Sequence, residues 1–330
     1  MPTITIELHV DNLLQLKDHI VINLCGDQVL PSSKSTPHAM FINYINRLAN
    51  QLRQNGRQRT SETYRCAAQS FSKFLGGDIA IPYVSADLIM RYEQHMHSQS
   101  LCHNTSSFYM RRLRAAYNRA VDEGLTQDNR PFRRVYTGVA RTIKRAITID
   151  DMHRIRQLEI NEPQLELARN YFLFSFYTSG MSFVDMAYLE KKNLSNGLLS
   201  YRRVKTGQQI SIRWNDSIRH LVERIGQGRG RYLLPIIKKE NGKERNQMRH
   251  VQYKVNQDLK TIGHMAGLQS DLTMYVARHT WASIALSLQV PVSIISQGMG
   301  HDSEKTTRIY LKQFDRSLLD RACDEIINAV

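Results

Sequence analysis

Apolar residues recur every three or four positions through most of the first 125 residues, and that period commits this part of the chain to helices. Phe41, Tyr44, Ile45, Leu48 and Leu52 share one helical face. Tyr64, Ala68, Phe71 and Leu75 form a second stripe, and Leu88, Tyr92 and Met96 a third. Met110, Leu113, Tyr117 and Val121 form a fourth, and Ser85 stands where the third helix needs an N-cap. Helices of this kind bury their stripes against one another, which predicts a small helical domain over residues 36–124. Ahead of it, Ile4, Ile6, Leu8 and Val10 alternate with Thr5, Glu7 and His9, the period of a half-buried strand. Residues 1–35 therefore read as an N-terminal arm, closing on the turn-rich Pro31-Ser32-Ser33.

Past Gly124 the pattern lapses into a basic linker over 125–146, with Pro131, Arg130, Arg133, Arg134, Arg141, Lys144 and Arg145. A second domain spans 147–330. Thr148 and Asp151 have the spacing of an N-cap and its N3 partner. Leu165, Leu167, Ala168 and the run Tyr171–Tyr177 predict a mostly buried helix. A helix near Val184–Leu189 leads to a β-hairpin, Leu198–Lys205 and Gln208–Arg213, turning at Thr206-Gly207. Helices dominate again from there. The fold class is mainly α with a small β-hairpin or sheet.

Lys and Arg number 45 against 30 Asp and Glu, a formal charge of +15, which calls for a polyanionic partner. With 42% hydrophobic residues the chain can bury real cores. Cys25, Cys66, Cys102 and Cys323 lack paired spacing, which suits a reducing compartment. No apolar run nears the roughly 20 residues of a membrane span, and no signal-peptide pattern opens the chain. These features predict a cytoplasmic protein whose partner is nucleic acid, with no membrane association. Arg111, Arg112 and Arg114 on the fourth helix, with Arg133, Arg134, Arg141, Lys144 and Arg145, are the candidate phosphate contacts. Acidic residues are scattered, giving no support for a metal-dependent nuclease. His95 and His97, near Cys102 and His103, are two apart and do not face each other on a helix. Neither metal nor cofactor is expected.

Three segments carry chemistry. In the first, Met274, Ala277, Trp281, Ile284 and Leu288 make an apolar stripe, with Tyr275 and Arg278 together on its flank. An arginine there can present its planar fork to a phosphate. In the second, Gly298-Met299-Gly300 permits a tight turn before His301, and Tyr310 follows. Histidine can bond a phosphate oxygen or move a proton, and a tyrosine flanked by cations can act as a nucleophile. In the third, Tyr201, Arg203 and Lys205 share one face of the hairpin strand, and a lysine there can protonate a leaving oxygen.

Arg278-His279, Gly300-His301 and, nine residues on, Tyr310 together resemble the C-terminal signature of the tyrosine recombinases, the phage-integrase family. Lys205 matches the family's hairpin lysine, and Thr178-Ser179-Gly180-Met181-Ser182-Phe183-Val184-Asp185 looks like its first catalytic box. The resemblance covers nearly everything after residue 35. It implies a helical, SAM-like core-DNA-binding domain followed by an α+β catalytic domain, closing as a C-shaped clamp on DNA. It implies a site-specific recombinase or integrase acting on double-stranded DNA with an inverted-repeat site. The assembly would be a tetramer on two DNA sites, formed by exchange of C-terminal helices. Leu311, Phe314, Leu318, Ala322 and Ile326 have the helical spacing for that exchange.

By the same resemblance, Tyr310 forms a 3′-phosphotyrosine bond and frees a 5′-hydroxyl. Arg278 and His301 hold the non-bridging oxygens, Lys205 protonates the leaving oxygen, and Tyr275 donates a hydrogen bond where relatives use histidine. The forms Gly-Met-Ser-Phe-Val-Asp and Tyr-Arg-Arg are most similar to recombinases and DNA invertases of Bacteroides and their mobile elements. One departure is pointed: Ser182 stands where the family has an arginine. Arg203 is the expected replacement, with Arg202 and Arg169 as alternatives. Ser182 also leaves open a DNA-binding protein of the same fold with weakened catalysis.

Overall fold

The computed structural model describes residues 39–140, 146–311 and 326–327, with backbone alone at 309–311. The alternating segment 4–10, the cations Arg141, Lys144 and Arg145, and the tail positions Phe314, Leu318 and Ala322 lie outside the described residues. The chain divides into two compact units, Met1–Arg141 and Thr142–Val330.

In the first unit, α1 (Phe41–Gln54), α2 (Gln58–Leu75), α3 (Ala86–Ser98) and α4 (His103–Asp122) bury the four stripes against one another. Phe41, Ile45, Phe71, Tyr92, Leu113 and Tyr117 are all but fully buried, with the Phe71 and Tyr92 rings 4.9 Å apart. Ser85 caps α3 by accepting the Leu88 N–H at 3.2 Å. Met40 offers α1 no such cap, so Asp78 supplies it from 36 residues away. Its two carboxylate oxygens accept the Ile42 and Asn43 N–H groups at 2.7 and 3.0 Å. Residues 131–140, within the segment expected to be linker, pack onto this unit. Phe132 and Val135 join its core, and Asn104 on α4 exchanges two hydrogen bonds with the Ala140 backbone.

In the second unit, α5 (Ile149–Gln157) starts with the Thr148/Asp151 capping box. Helix α6 (Pro163–Tyr177) is buried on nearly every side, which explains its continuous apolar run. After α7 (Phe183–Ala187) come β1 (Leu194–Ser195), β2 (Leu198–Arg202) and β3 (Gln209–Arg213), an antiparallel sheet in that order. Then follow α8 (Asp216–Ile225), α9 (Glu244–Met265), α10 (Met274–Ser287), α11 (Val292–Met299) and α12 (Glu304–Leu311). The architecture is mainly helical with one small sheet, the class read from the sequence.

Two local expectations fail. Strand pairing ends at Arg202↔Gln209, so β2 stops before Lys205. The Arg203 N–H reaches Gln208 O and the Gly207 N–H reaches Arg203 O, both at 2.8 Å, closing a turn that carries Lys205 at its exposed tip. The apolar stripe of α10 holds at Met274 and Ala277, which are buried, and at Trp281 and Ile284, which are half-buried, but Leu288, just past the helix, is 66% exposed, and Arg278, His279 and Thr280 are buried as well. The helix lies among α6, α9, α11 and α12, so polar residues on several of its sides are enclosed.

Candidate active site

Arg278 is the anchor. It is buried on α10 and its guanidinium is held from three directions. Nη1 donates to Gly180 O at 2.8 Å, Nη2 donates to Met299 O, and Nη2 also lies 3.1 Å from His301 Nε2. Gly180 belongs to the turn between α6 and α7, where φ is +73°. A Cβ there would stand 2.7 Å from the Arg278 Cα, so only glycine lets this turn approach α10.

The C-terminal end of α11 gathers a second cation. Gly300 closes that helix in the left-handed conformation, leaving its last carbonyls without helical partners. Arg203 Nη1 donates to Gly300 O at 2.6 Å, and Thr206 Oγ1 donates to the same oxygen at 3.1 Å. Two guanidiniums thus share the negative end of one helix, Arg278 on Met299 O and Arg203 on Gly300 O. Arg203 is 6% exposed, and its Nε has no hydrogen-bond partner among the described residues. Lys205 sits nearby on the turn and, with Arg278 and Arg203, bears on His301 electrostatically.

His301 is 7% exposed. Burial first, then the charges of Arg278, Arg203 and Lys205, push its pKa down to about 4, so it is neutral at pH 7. Its Nδ1 lies 2.7 Å from Thr307 Oγ1, on α12.

Ser182 does other work. It is the N-cap of α7 and donates to Asp185 Oδ2 at 2.6 Å. The other carboxylate oxygen, Oδ1, accepts the Val204 N–H at 2.8 Å, tying the hairpin turn to α7. Asp185 also adds to the burial that raises the pKa of Tyr201.

The structure therefore brings Arg278, His301 and Arg203 together, with Lys205 beside them. Arg202 points elsewhere, exposed, its Nη1 on Gly207 O at 3.0 Å. Arg169 is committed to an ion pair with Glu166, which also pairs with Arg224. Tyr275 parts from Arg278: it is 55% exposed and rests edge-on against the His279 ring at 4.4 Å. The backbone of Tyr310 lies in α12, one residue from its end, and its side chain is outside the described atoms. The sequence assigns no role to Thr307, to the Asp185 carboxylate or to the Met299 and Gly300 carbonyls. Backbone oxygens leave no sequence signal, and a threonine on an exposed-looking helix has nothing to distinguish it.

In the first unit, Arg111, Arg112 and Arg114 on α4 each contact a neighbouring group. Arg111 Nε donates to Ser107 O at 3.4 Å, Arg112 lies over the Phe108 and Tyr64 rings at 5.4 and 6.0 Å, and Arg114 donates to Thr137 Oγ1 at 2.9 Å. Arg133 and Arg134 are exposed. No three His, Cys, Asp or Glu side chains cluster as a metal site among the described residues. No helix among them is long and apolar enough to cross a membrane.

Residues 40–135 match the family model described as the phage integrase SAM-like domain, and residues 145–316 match the phage integrase family. No curated protein sequence matches the chain. Solved structures do. A lambda integrase fragment, a dimer bound to a COC′ core site, is 16% identical, with 82% of this chain and 95% of that one covered and a TM-score of 0.63. A lambda integrase tetramer bound to a Holliday junction is 14% identical, covering 84% and 78%, also at 0.63. The Tn1549 transposon integrase in complex with a circular intermediate DNA is 16% identical, covering 86% and 100%, at 0.59. At these identities the likeness is one of fold.

Proposed function

The chain belongs to the phage integrase family, and from that membership we propose how its own residues divide the work of cutting and rejoining DNA. It is a tyrosine site-specific recombinase, an enzyme that cleaves DNA strands and religates them. The Tyr310 oxygen attacks a backbone phosphorus, forms a 3′-phosphotyrosine bond and expels the 5′-oxygen, which Lys205 protonates. A 5′-hydroxyl from a partner strand then attacks the phosphotyrosine and restores the backbone. The bond energy stays in the covalent intermediate throughout.

The observation that carries this reading is the convergence of Arg278, Arg203 and Lys205 on a neutral, buried His301. Buried guanidiniums gathered around one point are costly without an anion, and a scissile phosphate supplies it. Arg278 and Arg203 take the non-bridging oxygens as charge builds on phosphorus. Arg203 thus replaces the cation missing at Ser182, whose hydroxyl serves Asp185 instead. An arriving phosphate offsets the cationic repulsion that, after burial, lowers the pKa of His301, so its proton affinity rises and it can bond a non-bridging oxygen. Tyr275, exposed on α10, donates a hydrogen bond to bound DNA.

The partner is double-stranded DNA carrying an inverted-repeat site. The first unit grips its phosphates through Arg111, Arg112, Arg114, Arg133 and Arg134, with Arg141, Lys144 and Arg145 following. Four copies act on two sites, exchanging the apolar stripe that starts at Leu311. The sequence forms of the first box and of Tyr201-Arg202-Arg203 support assignment to the Bacteroides-type recombinases and invertases.

The test is covalent trapping on a nicked duplex carrying sequence from beside the gene. Wild type yields a protein–DNA adduct; Tyr310→Phe binds the same duplex with nearly equal affinity and yields none. An adduct that survives in Tyr310→Phe removes Tyr310 as the nucleophile.

A further inference from the structure

The hairpin turn that carries Lys205 is tied down on both sides of that residue. Before it, the Val204 N–H donates to Asp185 Oδ1 at 2.8 Å, which anchors the turn to α7. After it, Thr206 Oγ1 lies 3.1 Å from Gly300 O. A carbonyl oxygen only accepts, so the threonine hydroxyl is the donor. That carbonyl belongs to the left-handed residue that closes α11, immediately before His301. Its two lone pairs are both engaged, one by Thr206 and one by Arg203 Nη1 at 2.6 Å. The close approach depends on glycine, because a Cβ at Gly300 would stand 2.6 Å from Ile210 Cδ1 on β3 and 3.2 Å from Arg203 Cδ. Lys205, between the two ties, is exposed. Its backbone is held while its flexible four-carbon stem can still reach a bound phosphate.

We propose that Thr206 is a positioning residue for Lys205: its hydroxyl, bonded to the carbonyl before His301, holds the lysine's turn against the end of α11, so that Lys205 and His301 serve the same phosphate. This rests on the reading of Lys205 as the acid that protonates the leaving oxygen. In that step the Tyr310 phenolate makes the new bond to phosphorus and the P–O5′ electron pair goes to O5′. Lys205 gives its proton to that oxygen and becomes a neutral amine. Proton transfer needs donor and acceptor within hydrogen-bond reach, so a turn released from α11 loses leaving-group protonation before anything else. The defect is therefore specific. A 5′-thiolate departs without a proton, because a thiol is far more acidic than an alcohol. A duplex with sulfur in place of the bridging 5′-oxygen has no need of Lys205, and so none of Thr206.

The test sets Thr206→Val, which keeps the shape and removes the hydroxyl, beside Thr206→Ser, which keeps the hydroxyl, and Lys205→Ala. Wild type first locates the cleaved phosphate on the nicked duplex. Each full-length protein is then timed on two such duplexes, alike except for oxygen or sulfur at the bridging 5′ position of that phosphate. On the oxygen duplex Thr206→Val should form adduct about tenfold more slowly than wild type and Thr206→Ser within about threefold of it, with Lys205→Ala slower than either. On the sulfur duplex every variant should come within about threefold of wild type. That rescue also shows that the variants are folded. Thr206→Val slowed equally on both duplexes, or not slowed on oxygen, overturns the proposal, and so does Thr206→Ser as slow as Thr206→Val. If Lys205→Ala stays as slow on sulfur as on oxygen, the reading of Lys205 as the acid falls and the role of Thr206 falls with it. Rescue of Lys205→Ala without rescue of Thr206→Val overturns the role of Thr206 alone.

Discussion

Arg203 and Arg278 pose the same physical problem, a guanidinium taken almost wholly out of water. Such burial costs several kcal/mol per charge unless the N–H groups find partners. Here the partners are the carbonyls that close α11, which supply partial negative charge without becoming a competing anion. The cations are thus held in place while their charge stays available to a phosphate. Removing one preorganised donor from such a site typically slows catalysis by about 100- to 1,000-fold. Arg203→Ala should therefore cut the adduct-forming rate by about 100-fold or more, with DNA affinity little changed. Arg202→Ala, which removes an exposed side chain engaged with its own turn, should cost less than about tenfold. Single-turnover trapping rates decide between them, and a larger loss in Arg202→Ala would shift the replacement cation to that residue.

At the scale of elements, stability and function hang on contacts between neighbouring segments. Helix α1 depends on Asp78, which follows α2, to satisfy its first N–H groups. Loss of an N-cap acceptor costs about 1–2 kcal/mol. Asp78→Ala should lower unfolding stability by that amount in a urea titration, and Asp78→Asn should recover part of it by keeping one acceptor. Equal stability of wild type and Asp78→Ala would show that water caps α1 as well. Asp185 makes a comparable link in the second unit, where α7 receives the Val204 N–H from the turn bearing Lys205. A short helix and a hairpin turn are joined through one carboxylate, so Lys205 sits on an anchored segment.

For the whole molecule the relevant quantity is the +15 charge. Each phosphate neutralised releases counterions, so affinity for duplex DNA falls steeply with salt. The slope of log affinity against log salt counts those contacts. Replacing both Arg133 and Arg134 by Ala should flatten that slope by about 2 for an arbitrary duplex, without unfolding the protein. Fluorescence anisotropy across a salt series measures it, and an unchanged slope would exclude these two residues from the DNA interface.

The sequence by itself determined the helical stripes of the first unit, the buried run of α6, the caps at Ser85 and Thr148, and the family to which the chain belongs. Periodicity and capping are local, since a stripe or a cap depends on residues within one or two turns. It also picked out Arg278, His301 and Lys205, whose spacing around Tyr310 is legible in the chain. The tertiary structure alone decided that Arg278 is buried while Tyr275, three residues earlier, is exposed, because the packing around α10 overrides any simple stripe. It decided that β2 ends before Lys205, that Asp78 caps a helix 36 residues away, and that Arg203 meets Gly300 from 97 residues away. Thr206 belongs with these. Its hydroxyl meets Gly300 O from 94 residues away, and only the packing of the hairpin turn against the end of α11 brings the two together.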